Sequence, residues 1–210
     1  MENALTPVVR APSPGRGMLL WIAVTVPSLA AMVWMMGPLP DIAALLVRPE
    51  FLLVQGLAVG TAVLAAYGAL CAGRPDQPGW KTVLPFAAAL LWAAALGRQC
   101  FVLAIGGQGS ALVVQPDLIC VPAIAASALP SALAILWVLR RGTSFRRVRA
   151  CLCAALAAAA AAQAALRLYH PDGTFATMLV WQIGSVGLWT LVGAALTRLS
   201  LPRPQPMRAS

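Results

Sequence analysis

The chain has 210 residues, 60% of them hydrophobic and only 10% charged, with a formal net charge of +9 at pH 7. A soluble domain carries roughly 25% charged residues, so this sequence has too little polar surface to cover a globule in water. Its apolar runs also leave no stretch long enough to bury a second, soluble core, which excludes a water-soluble enzyme or binding module and points to lipid as the solvent.

A helix that crosses about 30 Å of hydrocarbon needs roughly 20 mostly apolar residues. Residues 1–17 come first, a short polar tail with Pro7, Pro12 and Pro14, read as extended. The first predicted span is 18–37. It follows Arg10 and Arg16 like a signal peptide, but the run is too long for such a segment, and Gly37-Pro38-Leu39-Pro40 is a poor cleavage site. Residues 41–47 read as a short amphipathic turn at the membrane surface. The second span is 51–72, the third runs from 82 to about 104, and the fourth is 118–139. The fifth, about 148–166, contains ten alanines between 154 and 165, and so belongs among its neighbours, where small residues let helices approach closely. The sixth is 175–197, and 198–210 form a Pro-rich tail. Every separator carries Pro, Gly or charge. Pro27 and Pro130 lie inside spans, where neighbouring helices tolerate them.

The basic residues set the orientation. With the N-terminus inside, twelve of the fifteen Lys and Arg fall in cytoplasmic segments, and only Arg48, Arg98 and Arg167 fall outside. The predicted fold is therefore all-α: a polytopic bundle of six transmembrane helices over 18–197, with both tails (1–17 and 198–210) cytoplasmic. The arginines sit in short loops beside spans, where anchoring to anionic lipid explains them better than direct nucleic-acid binding.

Residues that carry chemistry are scarce. Gln55, Gln163 and Gln182 are the main long polar side chains within spans, and interhelical hydrogen bonding is their expected role. No HExxH, Walker loop or catalytic triad is present, which argues against an enzyme. Cys71, Cys151 and Cys153 lie at cytoplasmic ends, where a reducing cytosol keeps thiols reduced. Cys100 and Cys120 lie at the outer ends of consecutive spans, and His170 is in the next external loop. Thiolate and imidazole suit soft metals, and two outer thiols can also form a disulfide. Buried small residues beside a turn histidine remain the alternative.

The order Pro7-Val8-Val9-Arg10-Ala11-Pro12-Ser13-Pro14, Arg48-Pro49-Glu50-Phe51, Pro78-Gly79-Trp80, Pro85, Trp92, Cys120, Arg140-Arg141, Leu168-Tyr169-His170-Pro171 and Val180-Trp181 resembles the NrsF family of bacterial six-helix membrane proteins. The resemblance spans about residues 7–197. It implies an anti-sigma factor of the bacterial inner membrane. Such a protein holds an extracytoplasmic-function sigma factor and releases it on a periplasmic metal or oxidative signal, with no resident cofactor. The grip would be the tail (Arg10, Pro12, Pro14, Arg16) and the arginine loop (Arg140, Arg141, Arg146, Arg147, Arg149). Cys120 resembles the first of two periplasmic cysteines of the family; His170 stands where the second is expected, and Gln182 where a histidine is usual. Either Cys100 takes the partner role, or Cys120 and His170 act as ligands for a sensed soft metal, or the response is lost. The competing functions are a membrane thiol oxidoreductase, which lacks a CxxC pair here, and a small-molecule transporter, which lacks buried charge.

Overall fold

The computed structural model describes residues 13–107, 113–114, 116, 118–141, 146–170 and 174–200. Six of its helices are long and apolar enough to cross a membrane, and no strand occurs among the described residues. In chain order the elements are α1 (Pro14–Met36), the short α2 (Ile42–Leu45), α3 (Pro49–Ala72), a 3₁₀ turn (Gly79–Thr82), α4 (Leu84–Ile105), α5 (Cys120–Arg140), α6 (Arg147–Leu166), α7 (Phe175–Thr177), a π turn (Met178–Ile183) and α8 (Gly184–Ser200). The last three join end to end as the sixth span. Residues 1–12, 108–112, 115, 117, 142–145, 171–173 and 201–210 lie outside the described residues.

The first helix corrects the expected tail, for it begins at Pro14 and not after Gly17. The Ser13 hydroxyl accepts a hydrogen bond from the Arg16 backbone N–H at 3.3 Å, and Pro14 occupies the first helical position, where its missing N–H costs nothing. Gly37 ends α1 at φ +82°, a left-handed conformation that favours glycine, and Pro38 follows. Within residues 41–47, read as a turn, Ile42–Leu45 form the single helical turn α2.

Helix α6 is the axis of the bundle. It packs on α3, α8, α5 and α1, and almost all its residues from Ala150 to Leu166 are buried. An alanine-rich helix suits that place, because methyl groups leave room for neighbouring backbones. Gly193 of α8 makes one such approach; a Cβ there would stand 3.1 Å from the Ala155 Cβ. Gly68 of α3 makes another; a Cβ there would stand 2.9 Å from the Lys81 carbonyl oxygen on the 3₁₀ turn. By contrast, α1 and α4 lie at the periphery and keep large apolar faces exposed, as lipid-facing helices do.

Polar side chains knit the helices together. The Trp21 indole N–H donates to the Ser131 hydroxyl at 2.9 Å, joining α1 to α5. Gln55 donates to the Ala164 carbonyl at 2.7 Å, and the Trp189 indole to the Val121 carbonyl at 2.8 Å. At the core, Gln163 Nε2 donates to Gln182 Oε1 at 2.5 Å, with both residues buried. Such bonds contribute roughly 0.6–1.7 kcal/mol each inside a membrane. Gln182 sits on the π turn, which packs on α4 and α5 and from which its side chain reaches Gln163 of α6.

Candidate functional site

Two ends of the bundle carry the predicted site residues. The first is the end where α1 begins. Here α5 closes on Arg140 and Arg141, both exposed, and the Arg141 guanidinium carbon lies 3.5 Å from the centre of the Trp137 ring. Arg16 is exposed at the start of α1, which packs on α5 with Gly17 close to Val138, while Arg10 and Pro12 lie outside the described residues. Pro14 serves as the first residue of a helix, a structural role.

The other three arginines of the loop do internal work. The Arg146 backbone N–H donates to the Ala72 carbonyl at 3.0 Å, and its guanidinium reaches the Gln77 carbonyl at 3.5 Å and lies 3.3 Å from where a Cβ on Gly79 would sit. The Arg147 guanidinium donates to the Arg198 carbonyl at the end of α8. Arg149 donates to the Thr82 hydroxyl at 3.4 Å. Together they clamp the start of α6 to the 73–82 loop and to α8. Of the predicted basic grip, then, Arg16, Arg140, Arg141 and Arg149 are exposed, and Arg149 is also tied to a neighbouring segment by its hydrogen bond to the Thr82 hydroxyl.

Sequence reading alone did not single out the aromatic companions of this face. Trp80 is 61% exposed and Trp137 46% exposed. Lys81 stands 5.9 Å from the Trp80 ring centre and 5.6 Å from that of Tyr67. An exposed Trp beside a cation suits a protein contact, since Trp and Arg are enriched where partners bind. The Pro78-Gly79-Trp80 and Trp137–Arg141 spacings were the available signal. One anion tempers the charge: Gln77 donates to the Asp76 carboxylate at 2.9 Å and holds it below the usual carboxylate range, so Asp76 is charged at neutral pH.

The opposite end holds the thiols and the histidine. Cys120 is the first residue of α5 and is 0% exposed, packed in a cluster with Ile124, Ala162 and Leu166, against which Tyr169 also lies. His170 is half-buried just past α6, its N–H donating to the Leu166 carbonyl at 2.8 Å. Cys120 and the chain around His170 thus share one packed neighbourhood, with Leu166 common to both. Cys100 is half-buried on α4, which packs on α3 and on the start of the sixth span, whereas α5 packs on α6 and α1. No disulfide joins Cys100 to Cys120. Among the described residues no three His, Cys, Asp or Glu side chains come together as a metal site. Cys71, Cys151 and Cys153 are buried packing residues; the Cys153 thiol donates to the Thr82 carbonyl at 3.5 Å.

Comparison with known proteins gives this arrangement its family. The family model described as NrsF, negative regulator of sigma F, matches residues 2–202. No curated protein matches the chain, and no solved structure matches it. The match takes in all six span-capable helices and both ends just described, and the chain belongs to the NrsF family of negative regulators of a sigma factor.

Proposed function

We propose that this protein is a membrane anti-sigma factor. It sequesters an extracytoplasmic-function sigma factor at the cytoplasmic face of the bacterial inner membrane and releases it on a periplasmic metal or oxidative signal. The observation that carries the reading is the family match over residues 2–202, nearly the whole chain. The distribution of basic residues, twelve against three, supports an inside N-terminus, and lipid surrounds the bundle. The role is regulation, with no chemistry of its own and no resident cofactor.

Two helices support a link between trigger and grip. Helix α5 begins at Cys120 and ends at Arg140. Helix α6 begins at Arg147, within the clamp, and ends at Leu166, beside Cys120. A soft metal ion held by the Cys120 thiolate and the His170 imidazole, or an oxidant that consumes the thiol, acts on a fully packed position. Such a position cannot take added atoms without moving its neighbours. Displacement of α5 along or about its axis carries Arg140 and Arg141 with it. That is the shared two-state element an allosteric release requires.

The test is a transcriptional reporter for the sigma factor encoded beside this protein. Deleting this chain should raise reporter output several-fold in unstressed cells, and restoring it should return output to the basal level. Replacing Cys120 by Ser should leave basal repression in place and blunt induction. Output that does not change on deletion would remove the anti-sigma reading.

A further inference from the structure

The three arginines that sequence reading left outside the basic face converge in space. Arg48 precedes α3, Arg98 lies on α4 about two turns before its end, and Arg167 follows α6. Arg98 lies 50 positions after Arg48 and Arg167 lies 69 after Arg98, yet all three line one cavity of about 690 Å³ at the end opposite the start of α1. Glu50 is the one carboxylate among the cavity's described lining residues, so three guanidinium charges face a single negative one.

The cavity has the parts of an anion site. Arg167 is only 4% exposed, and its guanidinium carbon lies 4.8 Å from the centre of the Phe51 ring in the same wall. Gln99 also lines the cavity, and its amide group can donate as well as accept. Pro49 and Glu50 at the cavity edge are the first residues of α3, a 24-residue helix whose N-terminus carries partial positive charge. Guanidinium forks match phosphate oxygens two at a time, which a lysine cannot do. The rim is apolar on its outer side: Leu53 and Val102, each 54% exposed, offer a surface for hydrocarbon.

We propose that this cavity binds a phosphate-class anion, supplied either as a phospholipid headgroup or as a free phosphate. The proposal does not depend on the anti-sigma reading.

The test follows the melting of the purified full chain in a neutral detergent by tryptophan fluorescence. Inorganic phosphate is titrated in one arm. In the other, phosphatidylglycerol is compared with phosphatidylcholine at equal mole fraction. A saturable rise in melting temperature with at least one probe is expected. In the variant Arg48→Gln/Arg98→Gln the half-saturating concentration should rise roughly tenfold or more, since two charge-assisted contacts are gone. Both positions are exposed, and Arg48→Lys/Arg98→Lys, which keeps the charge, should retain part of the response and so separate loss of the site from loss of the fold. A response to phosphatidylglycerol alone assigns the site to a headgroup, and a response to phosphate assigns it to a soluble anion. No saturable response to either probe, or the same response in wild type and the Gln variant, would overturn the proposal.

Discussion

Replacing Ala157 by Leu should destabilise the bundle by about 1–3 kcal/mol, the usual cost of forcing extra methylenes into a filled core. Ala157 is 0% exposed and sits midway along α6, the helix that touches α1, α3, α5 and α8. Three added carbons have no void to enter. They must push α6 away from a neighbour, and backbone approaches such as that of Gly193 to Ala155 leave no slack on the α8 side. The same size change read in the other direction should cost little at the periphery: Leu191→Ala, at a position 66% exposed on α8, should stay within about 0.5 kcal/mol of wild type. Unfolding of the solubilised protein by heat or by sodium dodecyl sulfate titration measures both. Wild-type stability in Ala157→Leu would mean that α6 is not enclosed.

The second large effect concerns the partner. Reversing the exposed pair, Arg140→Glu/Arg141→Glu, should weaken sigma-factor binding at least tenfold, which is about 1.4 kcal/mol. Like charges then face the acidic surface that a basic patch would attract, and the remaining affinity should lose much of its salt dependence. Arg146→Ala should behave differently. Its guanidinium reaches the Gln77 carbonyl and ties the 73–82 loop to the start of α6, a contact that alanine loses while keeping the backbone bond to Ala72, so the change should lower stability before it lowers affinity. Binding of the purified sigma factor to the chain in nanodiscs, at two salt concentrations, separates the two cases. Equal affinity in wild type and the double reversal would take Arg140 and Arg141 out of the interface.

Much of the architecture was legible because lipid imposes one strong rule, a run of about 20 apolar residues per crossing. The buried place of α6 followed from its alanines, and the glutamines Gln55, Gln163 and Gln182 make the interhelical bonds expected of polar side chains in spans. The misses are of another kind. Pro14 read as part of an extended tail because prolines mark loops, although after a capping Ser13 the same proline starts a helix. The π turn at Met178–Ile183 has no signature in hydropathy, since it changes the winding and not the composition. The division of the arginine loop into clamp and exposed pair depends on carbonyls of Ala72, Gln77 and Arg198, which are remote in the chain. So does the meeting of Arg48, Arg98 and Arg167, which the sequence places on the outside without bringing them together. Cys100 and Cys120 look like neighbours on consecutive spans, yet α4 packs chiefly on α3 whereas α5 packs chiefly on α6 and α1. Cys120 shares its surroundings with the segment that leads to His170.

The most direct measurement is co-purification. The full chain is expressed with the sigma factor encoded beside it, and both are followed through solubilisation of membranes under reducing, unstressed conditions. The account predicts a stable complex in the membrane fraction, with the sigma factor released when metal or oxidant is added. A sigma factor that stays in the soluble fraction while the chain is folded in the membrane would contradict it.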